Sequence, residues 1–201
     1  MGNATSLPRQ RIELIVVGAS AGGVAALSAL LSPLPAGYRL PIVAVLHLLP
    51  RHGSRLAEVL AHQLALSVCE PQDKEAIRPG TVYLASPDYH LLVEPERELS
   101  FSSEPPVGFA RPSIDLLMAS AADAYGPALA GILLTGANAD GAEGLAAIKA
   151  AGGFTIVQHP ADAEASTMPE AAIARCAPDL VLPLRGIAQW LRELDGTGGT
   201  A

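Results

Sequence analysis

Aromatic side chains are scarce in this chain: one tryptophan, four tyrosines and three phenylalanines make up 4% of its 201 residues. Half of the residues are hydrophobic, so the core must be built from Ala, Leu, Val and Ile, which suits helices packed closely on a parallel sheet. Cysteine is also rare. Cys69 and Cys176 lie far apart, in no metal-ligand or paired redox spacing, and read as buried free thiols. Long apolar runs are missing: Gly, Pro or charge interrupts each one short of the roughly 20 residues needed to cross a bilayer, which predicts a chain not inserted in a membrane. The first ten residues are polar, with arginines, and lack the apolar segment of a secretory signal, so the expected location is the cytoplasm. Thirteen basic residues against 20 acidic ones give a formal net charge of −7, and no basic stripe offers nucleic acid a surface. His52, His62 and His159 share no partner pattern, so no metal site and no cofactor is expected.

What the chain does contain is strand and helix in alternation. The patterning predicts strand 12–17, helix 22–32, strand 41–46, helix 53–65 and a short strand near 66–69. Three short strands between 80 and 102, including Thr81–Ala85, read as a small antiparallel insert. A helix opens at Arg111-Pro112-Ser113-Ile114-Asp115 and runs to about Tyr125, with Ser113 as its cap and Asp115 near the positive end of its dipole. Strand 129–134, helix 141–151, strand 154–158, helix 169–175, strand 180–182 and helix 186–194 follow. Parallel neighbours require crossovers, which helices provide. The expected fold is α/β: a doubly wound, mostly parallel sheet flanked by helices, forming one domain over 12–195 between flexible segments at 1–11 and 196–201.

Three strand ends carry chemistry. Gly18-Ala19-Ser20-Ala21-Gly22-Gly23 places a hydroxyl on a tight strand-to-helix turn, where glycines permit close approach and the helix amides favour negative charge. The second strand runs into His47. The strand at 129–134 breaks into Thr135-Gly136-Ala137-Asn138-Ala139-Asp140-Gly141, a loop with a carboxylate. In a parallel sheet these loops share one edge, where open α/β sheets bind ligands. Each residue also has a plainer reading: Ser20 and Asp140 as helix caps, His47 as a core histidine. A dinucleotide turn fits less well, since Ser20 stands where the second glycine of GxGxxG belongs and the second strand ends in His47 rather than an acid.

These segments, with Tyr83-Leu84-Ala85-Ser86-Pro87-Asp88-Tyr89-His90 and Met168-Pro169-Glu170-Ala171-Ala172, resemble the catalytic domain of the chemotaxis protein-glutamate methylesterases (CheB-type) over about Leu14 to Leu194. The resemblance implies a serine hydrolase that demethylates glutamate methyl esters on chemoreceptors, with glutamine deamidation in some members. It implies Ser20 as nucleophile, His47 as base and Asp140 as its orienter. Oxyanion donors are expected among the amides of Ala21, Gly136 and Ala137, and His90 matches a family histidine that either lines the site or stabilises a turn. The departures are Ala21 for threonine, Leu46 for glutamine, and Ala137-Asn138-Ala139 for Met-Gly-Asn. The partner implied is the methylated cytoplasmic segment of a chemoreceptor. No receiver domain fits ahead of Ile12, so a stand-alone unit or an excised domain is expected, open to a separate response regulator or methyltransferase. Two alternatives are a catalytically weak homologue that docks on receptors and an esterase of small molecules.

Overall fold

The computed structural model describes residues 11–47 and 55–196. Residues 1–10 of the segment expected to be flexible at 1–11, residues 197–201 of the one at 196–201, the first residues of the helix predicted from 53, and His52 lie outside the described residues. In chain order the elements are β1 (Leu14–Ala19), α1 (Gly23–Leu31), β2 (Ile42–Leu46), α2 (Leu56–Gln63), β3 (Ser67–Cys69), β4 (Glu75–Ala76), β5 (Thr81–Leu84), β6 (His90–Val93), β7 (Glu98–Ser102), α3 (Ile114–Tyr125), β8 (Leu129–Leu133), α4 (Ala142–Ala150), β9 (Phe154–Gln158), α5 (Thr167–Cys176), β10 (Leu180–Leu182) and α6 (Leu184–Gly196).

Seven strands form one sheet in the order β10-β9-β8-β1-β2-β5-β3, and every neighbouring pair is parallel. The continuous apolar runs follow from this, because a strand covered on both faces has no polar side. In β1, Ile15, Val17 and Ala19 enter a core shared with α1, α2 and α6, where Trp190 is fully buried. Leu14 and Val16 enter the opposite core with Ile114, Leu117 and Met118 of α3 and with residues of α4 and α5. This is the period-two alternation of a strand, with both halves apolar.

Strand β1 runs two residues further than the sequence suggested, since Gly18 pairs with Val45 and Leu133, and Ala19 with Leu46. Glycine is required there for packing: a Cβ on Gly18 would lie 2.3 Å from Ile114 Cγ2 and 2.8 Å from Leu133 Cδ1. The insert also differs. Thr81–Leu84 was expected in it, but β5 belongs to the main sheet between β2 and β3, and the antiparallel sheet is β4-β7-β6. A four-residue run reveals that it is a strand without revealing its partner.

The chain walks outward from β1 to β2 and the far edge, then returns to lay β8 against the other side of β1 and walks away again. Strand order therefore reverses at β1, and the loops leaving the carboxyl ends of β1, β2 and β8 converge at this crevice.

Candidate active site

Backbone hydrogen bonds hold the three loops together. Ser20 N–H donates to Thr135 O at 2.9 Å, and His47 N–H donates to Ala19 O at 3.1 Å. The buried Thr135 hydroxyl donates to Ala21 O at 2.9 Å, tying the serine turn to the loop after β8. Gly22 opens α1 with φ at 74°. A side chain there would be strained and would also meet Glu164, whose Oε2 lies 2.7 Å from where a Cβ would sit. The turn therefore closes only with glycine beside Ser20.

His47 Nε2–H donates to Asp140 Oδ2 at 2.8 Å. The same carboxylate lies against the amino end of α3. Its Oδ2 also accepts from Ile114 N–H at 2.8 Å, and its Oδ1 accepts from Asp115 N–H at 3.0 Å and from the Ser113 hydroxyl at 3.0 Å. Ser113 caps α3 as expected, its Oγ accepting from Leu116 N–H at 3.4 Å. Asp115 returns the arrangement to α4, accepting from Gly141 N–H at 2.8 Å and Gly144 N–H at 2.7 Å. Each helix thus receives a carboxylate from the other at its amino end, where free amides and the helix dipole favour negative charge.

The two acids are driven in opposite directions. Burial pushes the Asp140 carboxyl up, but the hydrogen bonds from His47 and from the Asp115 and Ile114 amides outweigh it and hold the group below its ordinary value. For Asp115 burial prevails; its amide partners oppose it, the negative charge of Asp140 adds to it, and the group lies above its ordinary value. The site thus favours the ionised form of Asp140, the state that orients and supports an imidazole.

Ser20, Leu46 and His47 line a cavity of about 360 Å³ together with Asn138, Phe109 and Arg111. No hydrogen bond among the described residues joins Ser20 Oγ to His47; the two share the cavity. The remaining site expectations divide. Ala21 and Ala137 are exposed, each next in sequence to a residue that lines the cavity, Ser20 and Asn138, and their amides make no hydrogen bond to a described residue. The Gly136 amide is unsuited to an oxyanion, since it donates to Ala165 O at 3.0 Å. His90 does not line the cavity: it is fully buried, its Nδ1 accepting from Ser113 N–H at 3.1 Å and its Nε2 donating to Pro105 O at 3.2 Å. It braces the residue that caps α3. His62 and His159 are exposed, and no cluster of His, Cys, Asp or Glu among the described residues is built to hold a metal. Cys69 and Cys176 are free and half-buried, and burial pushes both thiols up, away from the reactive thiolate.

Two features of the site were not legible beforehand. Asn138 directs its side chain at His47, with Nδ2 at 3.2 Å from Nδ1. Phe109 stands fully exposed on the cavity rim at the tip of a two-residue turn, where Val107 and Ala110 exchange hydrogen bonds at 3.1 and 2.9 Å. Gly108 has φ at 55° and Phe109 at 68°. A bulky residue held in the left-handed region and stripped of apolar contacts is doubly unfavourable in the free protein, which directs attention to a contact made outside it.

Comparison with known proteins identifies the family. The family model described as CheB methylesterase matches residues 15–191. A Leptospira interrogans protein assigned as a protein-glutamate methylesterase/protein-glutamine glutaminase is 43% identical over 183 residues, 91% of this chain and 95% of that protein. The protein-glutamate methylesterase FrzG of Myxococcus xanthus is 37% identical over 186 residues, and the match covers 92% of this chain and 56% of that protein. Among solved structures, the Thermotoga maritima CheB methylesterase catalytic domain superposes with a TM-score of 0.86 at 30% identity, covering 92% of this chain and all of that domain. No helix among the described residues is long and apolar enough to cross a membrane.

Proposed function

The chain belongs to the CheB methylesterase family, and from that premise we propose that it is a serine hydrolase that removes methyl groups from glutamate methyl esters on chemoreceptors. The observation that carries the reading is the 2.8 Å bond from His47 to an Asp140 kept ionised by α3, beside a cavity lined by Ser20.

The chemistry runs from this arrangement. Asp140 accepts the proton-bearing Nε2, so Nδ1 carries the lone pair and serves as the base. As Ser20 Oγ attacks the ester carbonyl, Nδ1 takes the hydroxyl proton and Asp140 supports the cation that forms. The carbonyl oxygen becomes an oxyanion, for which the Ala21 and Ala137 amides are the proposed donors; a donor of this kind contributes about 10²–10³ in rate. His47 then protonates the departing methoxide, methanol leaves, and a glutamyl ester of Ser20 remains. Water, deprotonated by His47, attacks that ester and releases glutamate and the serine hydroxyl. With a glutamine side chain the same steps release ammonia, the second activity in the Leptospira relative's name.

The proposed partner is the methylated cytoplasmic segment of a chemoreceptor, which places the protein's action in the cytoplasm. Incubation with methylated receptor should release methanol far faster than hydrolysis of a simple methyl ester of similar reactivity. Equal rates on the two favour an esterase of small molecules, and receptor binding without methanol favours a docking homologue.

Phe109 separates these substrates by its position. Burying an exposed phenylalanine is worth about 1.5–3 kcal/mol, so Phe109→Ala should raise KM for methylated receptor about tenfold or more. Its kcat and the hydrolysis of a small ester should stay near wild type. A steady-state comparison of the two substrates checks this.

A further inference from the structure

His47 has one nitrogen free to act as base, and that nitrogen is already engaged. Because Nε2 donates to the Asp140 carboxylate, Nδ1 is the acceptor, and Asn138 Nδ2 lies 3.2 Å from it. The orientation of the Asn138 amide follows from its other end, where Oδ1 accepts the N–H of Asp140 at 3.1 Å. With the oxygen committed to the backbone, the NH₂ group faces the ring and donates to it. Asn138 is exposed and lines the cavity beside Ser20, while the Ser20 hydroxyl makes no bond to His47 among the described residues.

We propose, on the reading that His47 is the base for Ser20, that Asn138 is a positioning residue that occupies the base. Its carboxamide holds the Nδ1 lone pair until entry of substrate displaces it, so that the Ser20 hydroxyl takes its place. The exchange replaces one hydrogen bond to Nδ1 by another. No covalent bond changes, and the net cost is small because the displaced NH₂ group faces an open cavity. Asn138 keeps a negative φ, so substitution there introduces no backbone strain.

The test uses Asn138→Ser. A serine hydroxyl can still accept the Asp140 N–H two residues on, as in the turns that Ser shares with Asn, but it is too short to reach His47. Inactivation of Ser20 by a sulfonyl fluoride, which requires no receptor, should become about two- to tenfold faster, the range set by a single net hydrogen bond. The ¹⁵N signal of His47 Nδ1 should move at the same time. Asn138→Asp should act in the opposite direction: an oxygen facing Nδ1 bonds only a protonated ring, so inactivation slows at neutral pH and recovers at higher pH. A residue that merely shapes the loop would leave the ¹⁵N signal of His47 Nδ1 in Asn138→Ser as in wild type. Unchanged or slower inactivation in Asn138→Ser, with an unmoved Nδ1 signal, overturns the proposal. If wild type resists the sulfonyl fluoride altogether, it is the Ser20 reading that fails; the nitrogen signal then decides the Asn138 contact alone, a shift in Asn138→Ser supporting it and no shift overturning it.

Discussion

Ser20→Ala should lower methanol release from methylated receptor by about 10³-fold or more while leaving the fold intact. The chemical half of this expectation is that no other hydroxyl lies on the turn between β1 and α1, so the covalent route is lost and only the residual effect of oxyanion donors and substrate positioning remains. The structural half rests on where the bonds of Ser20 are made. Its N–H donates to Thr135 O at 2.9 Å, and its carbonyl accepts from Gly23 N–H at 2.7 Å. Both belong to the backbone and survive in alanine, whereas Oγ makes no hydrogen bond to a described residue. Thermal unfolding should therefore stay within about 0.5 kcal/mol of wild type, as for substitutions that touch no packed or paired feature. Methanol release and a melting curve measured on the same preparation decide the matter. Turnover near wild type would remove Ser20 from the mechanism, and a collapsed melting curve would mean that the lost rate reflects lost structure.

The alternation of elements was legible because burial on two faces leaves a simple trace: Leu14 to Val17, Pro41 to Leu46 and Leu129 to Leu134 are apolar throughout, and each leads to a turn with chemistry. The same runs made the convergence of the loops that carry Ser20, His47 and Asp140 foreseeable, since parallel strands send their carboxyl ends to one edge. What escaped was partner choice. Thr81–Leu84 shows a strand but not its neighbours, and β5 lies between β2 and β3 only because crossovers deliver it there. Gly136 looked free to bind an oxyanion, yet its amide is taken by Ala165 across a loop. His90 matched a pattern of residues near the site, but it is buried against Ser113 and supports the site from behind. Asp115 was read correctly as an acid at a helix start, while the amides it accepts belong to a different helix 26 and 29 residues away. Contacts of that range leave no local periodicity to read.

Asp140→Asn should lower turnover by about 10⁴-fold, the scale seen when a triad acid becomes an amide and the imidazole adopts the wrong tautomer. Here it should also destabilise the protein. The Asp140 side chain is only 7% exposed, and its two oxygens receive four donors: His47 and Ile114 on Oδ2, Asp115 and the Ser113 hydroxyl on Oδ1. An amide offers a single oxygen. With NH₂ in place of Oδ2, it opposes the Ile114 N–H and drives His47 to accept at Nε2, which puts the ring proton on the nitrogen meant to be the base. With NH₂ in place of Oδ1, it opposes the Asp115 N–H instead. Either orientation leaves one buried amide of α3 unpaired, at a cost of about 1–3 kcal/mol. The pH dependence fixes the sign. Asp140 has a folded value below its ordinary one, so its stabilisation is fully present above about pH 3.9 and is lost as pH falls through the folded value. Asp115, shifted upward, has the opposite dependence: its contribution is present at low pH and declines as pH rises through its folded value. The lost Asp140 contribution is greatest at neutral pH, and relief of Asp115 from a like-charged neighbour offsets only part of it there, so the destabilisation in Asp140→Asn should be largest at neutral pH and shrink toward pH 3. Urea unfolding of wild type and variant at pH 7 and pH 3, with turnover at pH 7, measures both effects. A stability loss equal at the two pH values would mean that packing of the side chain, rather than its charge, holds α3 and α4 together.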